Sequence, residues 1–168
     1  MRIDPVWVAL LLSLGAGMWD WKVRRIPNWL CLTGIIAGFV LNSFWFALAG
    51  FGLALAIHLP LFALRAIGGG DVKLFAALGA LLGVAAWLKV FFISAILGGV
   101  VAIVLVVVRG MGKETFSRMA HVMRSLASGK APYEEKPELD VSSGLGKALP
   151  RGVVAALAVV IWMVAERL

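Results

Sequence analysis

The chain reads as an all-α integral membrane protein, a bundle of about six transmembrane helices, and three observations say so. Of its 168 residues, 62% are hydrophobic and only 15% are charged, where a soluble domain carries roughly 25% charged residues. Several apolar runs approach the ~20 residues that one helix needs to cross a bilayer. The charges are bunched between those runs instead of alternating with them. A single transmembrane domain covering residues 1–168 is expected.

Six apolar segments, at 6–19, 29–49, 51–66, 72–86, 90–108 and 152–165, make up the bundle. The first follows "MRID" and lacks both a basic leading region and a small-x-small cleavage site, so it is a retained span, not a signal peptide. The breaks are "DWKVRRIPN", "AG", "IGGGD" and "WLK", then a polar stretch at 109–151. Pro27 and Asn28 form the turn into the second span, with Asn28 as its cap. Gly34 with Gly38, and Gly79 with Gly83, are GxxxG pairs that let helix backbones approach in lipid. Asn42 and Ser43 are placed to bond between helices, and His58 reads as a hydrogen-bonded packing residue. In the polar stretch, Phe116, Met119, Ala120, Met123 and Ala127 recur at helical spacing, as in a short amphipathic helix on the membrane surface. The remainder, "APYEEKPELDVSSGLGKALP", has the composition of a flexible loop.

Six spans put both termini on one side and make the loops alternate. Thirteen of the sixteen Lys and Arg residues then fall on one side, against Arg2, Lys89 and Arg167 on the other. By the positive-inside rule the richer side is cytoplasmic, in a bacterial inner membrane, and both termini are extracytoplasmic. The +7 net charge is thereby explained by orientation and membrane-lipid contact, not by nucleic acid. One cysteine, Cys31, excludes an internal disulfide and a cysteine zinc site. With His58 and His121 the only histidines, no metal is expected, and no cofactor. Oligomeric state is not legible.

Only Asp4, Asp20 and Asp71 are acidic at or beside the first four spans. Asp20 ends the first span and Asp71 begins the fourth. Two crossings separate them, so both carboxyls lie at the cytoplasmic edge, where ionisable groups are costly and mark function. Two carboxyls in a poorly solvated site share a proton. The charged one takes a proton from water while the neutral one hydrogen-bonds a carbonyl, which is aspartic protease chemistry. The glycines before Asp71 supply positive φ and room for a substrate backbone. Taken singly, Asp20 or Asp71 is also an ordinary helix cap and "GGG" an ordinary turn. Their pairing in an acid-poor core favours chemistry. Lys73 points away from Asp71 on a helix and reads either as support for that acid's charge, as a substrate contact, or as a snorkelling lipid contact.

These residues resemble a known family. Asp20 with the following Arg25, Ile26, Pro27 and Asn28, and the GxGD motif of Gly68, Gly70 and Asp71 in "GGGDVKLFAALG", are similar to the two signatures of type IV prepilin peptidases. The pattern is closest to the short bacterial form serving Flp or tight-adherence pili, and "ALPRGVVAALA" resembles the family's Pro-x-Gly segment before the last span. The resemblance implies Asp20 and Asp71 as the catalytic pair. It also implies a prepilin substrate, whose short basic leader is cut off beside a hydrophobic helix at the cytoplasmic face. Long family members carry paired CxxC motifs linked to methylation. With one cysteine, this chain is expected to be a peptidase without that zinc module. The acidic cluster Glu134, Glu135, Glu138 and Asp140 is either a docking site for the basic leader or a solvated loop. The alternatives are an archaeal preflagellin-type or presenilin-like GxGD protease and, in another class, a membrane transporter or assembly subunit. A transporter is expected to show acids or broken helices near the bilayer midplane.

Overall fold

The structure, a computed structural model, describes residues 4–64, 67–108 and 151–166. These form five helices: α1 (Pro5–Val23), α2 (Asn28–Leu41), α3 (Phe44–Ala63), α4 (Gly69–Val108) and α5 (Arg151–Ala165). Helices α1, α3 and α4 are long and apolar enough to cross a membrane, and α2 and α5 are shorter apolar helices. The all-α membrane architecture is therefore as expected. The expected surface helix and the expected loop with Glu134, Glu135, Glu138 and Asp140 fall outside the described residues.

Helix α4 is two arms in one element. Gly83 has φ 70 and ψ −179 and interrupts it. The Phe75 and Phe91 rings, sixteen positions apart, have centroids 6.4 Å apart, where a straight helix would separate them by about 24 Å. The Trp87 indole N–H donates to the Phe75 carbonyl at 2.9 Å. The chain therefore doubles back at Gly83, and arms 69–82 and 84–108 supply two of the six expected crossings. Only glycine suits the turn: its φ is left-handed, and a Cβ there would meet Phe46 Cε2 at 2.6 Å. The Ala80 and Leu81 carbonyls have their ordinary helical donors beyond the break. The Asn42 amide donates to both at 3.1 Å, so it supplies bonds that the turn removes.

Two expected breaks move. The second span ends at Asn42 and Ser43, not at Ala49–Gly50, and the fourth ends at Gly83, not at 87–89. Hydropathy reads Ala-Gly and a lone lysine as interruptions, yet both are used otherwise. Gly50 lies inside α3 against the Gly79 backbone. Lys89 stays helical and pairs with Glu166 at the exposed end of the bundle away from Asp20.

Small residues set the spacing between helices, since apolar surface alone gives no preference for helix over lipid. A Cβ on Gly38 would lie 2.7 Å from the Ala80 carbonyl carbon, and one on Gly34 would lie 2.6 Å from Leu12 Cδ2. The first arm of α4 is buried continuously from Leu74 to Gly83 and forms the centre of the bundle. His58 is buried there, as a packing residue should be. It stacks on Phe75 (4.6 Å, 22°) and meets Trp87 and Phe91 edge-on, and its Nδ1 donates to the Ala54 carbonyl at 3.0 Å.

Gly50→Ala should lower the thermal unfolding midpoint in detergent, because its Cβ would fall within 2.9 Å of Gly83 Cα and closer still to Gly79. Gly52→Ala, in the same helix with nothing within 4 Å of its added Cβ, should leave the midpoint unchanged or slightly raised.

Candidate functional site

Asp20 closes the buried stripe of α1, which runs through Ala9, Leu12, Ser13, Ala16 and Gly17 at helical spacing. The helix ends just after it. Arg24 takes a left-handed φ of 54, and its N–H bonds the Asp20 carbonyl at 2.9 Å. The carboxyl is thus aimed into the bundle instead of out to the surface. Helix α4 begins at Gly69, and the Asp71 N–H bonds the Gly68 carbonyl at 3.1 Å. In return Asp71 Oδ2 accepts from the Gly68 N–H at 3.4 Å, as the third residue of a capping box does. Capping is therefore part of what Asp71 does.

The start of α5 joins the two acids. The Gly152 N–H donates to Asp20 Oδ2 at 2.8 Å, and Arg151 Nη1 lies 3.4 Å from Asp71 Oδ2. Successive residues of one helix hold both carboxyls, which share this neighbour and no mutual hydrogen bond. The fit leaves no slack. A Cβ on Gly152 would lie 2.9 Å from Asp20 Cβ and 3.1 Å from the Ala16 carbonyl, and one on Gly17 would lie 3.2 Å from Ala156 Cβ.

The two sequence motifs also meet. A Cβ on Gly70 would lie 3.3 Å from Ile26 Cβ, and Lys73 Nζ donates to Asn28 Oδ1 at 2.9 Å. These contacts correct three expectations. Asn28 is the first residue of α2 and makes no cap bond; Pro27 holds the cap position, and the Asn28 side chain receives Lys73 instead. Lys73 is tied to Asn28 at the exposed rim, so its contact is neither lipid alone nor Asp71. Gly68, Gly69 and Gly70 have no positive φ, which among the described residues occurs in glycine only at Gly83. Gly69 and Gly70 are already helical, and Gly70 serves to admit Ile26. Arg25 is exposed.

Arg151 and Gly152 fall in the segment marked by its resemblance to the Pro-x-Gly entry to the last span, but no sequence reading made them partners of the two acids. Gly152 leads a small-residue face with Ala155 and Ala156 that matches the small stripe of α1, and that complementarity is the signal that would have found it. Nothing in the sequence pattern pairs Arg151 with Asp71.

A model of the type IV leader peptidase family matches residues 7–103, which include both aspartates. The chain belongs to that family. It is 33% identical over 110 residues to the prepilin leader peptidase/N-methyltransferase of Neisseria gonorrhoeae, an alignment covering 66% of this chain and 33% of that protein. The chain thus spans about a third of the length of the curated relative it matches. No solved structure matches it. Arg151 and Gly152 lie beyond the stretch that the family model covers.

The contact between motifs is open to a direct check. Ile26→Cys with Gly70→Cys, in a Cys31→Ala background, should form a disulfide under mild oxidation, because a Cβ separation of 3.3 Å needs to open by only about half an ångström to reach the usual ~3.8 Å. A gel shift on reduction after an engineered cut between the two positions reads the result.

Proposed function

We propose that the chain is a membrane aspartic endopeptidase that removes the short basic leader of type IV or Flp-type prepilins, with Asp20 and Asp71 as its catalytic pair. The observation that carries this reading is the grip of α5 on both acids: Gly152 on Asp20 at 2.8 Å and Arg151 on Asp71 at 3.4 Å. Two carboxyls so placed in a bundle with few other acids suit water activation better than capping alone does.

One carboxylate takes a proton from a water molecule as its oxygen attacks the scissile carbonyl carbon. The other, protonated, donates to the carbonyl oxygen as it becomes a tetrahedral alcohol. Collapse breaks the C–N bond. The amine leaves with a proton from the acid that received it, and the new carboxyl end remains on the leader. Substrate is a basic leader followed by a hydrophobic helix, presented in the membrane. The cationic rim, with Lys22, Arg24, Arg25, Lys73 and Arg151 at the same end as the acids, supports a cytoplasmic orientation of that end. The hydrophobic helix of the substrate would lie alongside the apolar exterior of the bundle.

Asp20→Asn and Asp71→Asn keep shape and remove acid–base ability. Each should lower prepilin cleavage in membranes by a factor on the order of 10²–10⁴, measured by loss of the leader on a gel. Normal cleavage by either single variant would refute the dyad.

A further inference from the structure

The two acids are held by donors of different kinds. Asp20 is bonded by a backbone N–H, which belongs to a helix start locked against α1 by Gly17, Ala16 and Gly152. That donor cannot leave without moving α5. Asp71 Oδ2 accepts from the Gly68 N–H of its own helix start and, at the same 3.4 Å, from a guanidinium on a flexible side chain that is 35% exposed, against 14% for the Asp71 side chain itself. A guanidinium that close favours the charged carboxylate, while dyad chemistry requires one proton on the pair. The cation of Arg151 and the uptake of a proton therefore oppose one another at the same carboxyl group.

We propose that Arg151 is a removable counter-ion of Asp71, a positioning residue that sets the pH at which the Asp20–Asp71 pair takes up its shared proton. This rests on the peptidase reading given above. Asp71 is the proton-carrying member, because its cationic partner swings away; Asp20, pinned by a backbone donor, is the standing carboxylate that activates water. Among the described residues, the other titratable or charged groups around Asp71 do not substitute for Arg151. From α1 comes only Asp20, of like charge. On α4 itself, Lys73 is bonded to Asn28. On α2, Cys31 is buried. His58 of α3 faces Phe75, Trp87 and Phe91. Lys22, Arg24 and Arg25 sit on the exposed rim.

The test uses the full chain in nanodiscs as wild type, Arg151→Met, Arg151→Gln and Arg151→Lys. Two profiles against pH are taken: the rate of prepilin cleavage, and carbodiimide-driven amine labelling of Asp71 read by peptide mass spectrometry. Labelling reports the protonated carboxyl and needs no turnover. In R151M and R151Q both profiles should move to higher pH by roughly one unit or more, and R151K should stay with wild type because it keeps the charge. Profiles of R151M and R151Q that superimpose on wild type would overturn the proposal, even with lower rates, since a merely structural role lowers rate at every pH. An equal displacement in R151K would overturn it too. Should R151M lose its cooperative thermal transition, the R151Q and R151K pair decides by the same criteria. A peptidase reading that fails, through an active Asp71→Asn, leaves the labelling arm to score Arg151 on its own.

Discussion

The contact of α1 with the start of α5 governs the site. In lipid, helices do not associate to hide apolar surface, so close backbone approach through small residues decides which faces meet. Ala16 and Gly17 of α1 against Gly152 and Ala156 of α5 leave no room for a methyl group at Gly152 and only a tight fit for one at Gly17. At that spacing two groups that each need a partner find one another. The first N–H groups of a helix have no acceptor within it, and a carboxylate turned into an apolar bundle needs donors. Gly152 N–H and Asp20 Oδ2 satisfy both needs with one bond of 2.8 Å. Arg151, one residue earlier, is thereby delivered to Asp71.

Asp71 depends on a second constraint, the burial of the arm that follows it. From Leu74 to Gly83 every residue of α4 is buried, as expected of a helix that is apolar all round. Gly38 against Ala80 and Gly50 against Gly79 fix its height relative to α2 and α3, and Asn42 stabilises its far end at the Gly83 turn. Phe75, one turn on from Asp71, is stacked on His58. The acid thus projects from the end of the most enclosed element in the bundle, and its own helix start contributes the Gly68 N–H.

Much of this was legible in the sequence, for identifiable reasons. Segment number, the membrane class and the placing of Asp20 and Asp71 at one end follow from counting apolar runs, because the parity of crossings does not depend on where each helix ends. The helix ends did not follow, because hydropathy cannot tell a glycine that turns the chain from one that lets two backbones touch. Gly83 looked like half of a packing pair and makes the turn; Gly50 looked like a turn and makes the packing contact. The three glycines before Asp71 were expected to bend the backbone, yet two of them are helical and one admits Ile26. Arg151 was invisible as a partner because the contact joins positions 80 residues apart, a pairing that no local pattern encodes.

The electrostatics of the site contain a tension that the fold resolves by asymmetry. Both acids lie at positive helix ends, Asp71 at that of α4 and Asp20 at that of α5, and a nearby carboxylate is stabilised by such an end. This offsets the cost of placing two acids against an apolar bundle. The same stabilisation opposes the uptake of the proton that the proposed water attack requires. Here Asp20 is gripped by the backbone of α5, whereas what α5 gives Asp71, beside the Gly68 N–H, is a side chain with several rotatable bonds and access to the rim. Moving that single side chain changes the charge seen by Asp71 while leaving α5, Gly152 and Asp20 where packing has set them. On the proposed function, a substrate that brings its peptide carbonyl to Asp71 needs to displace only the guanidinium, and the helices that position the two acids stay in place.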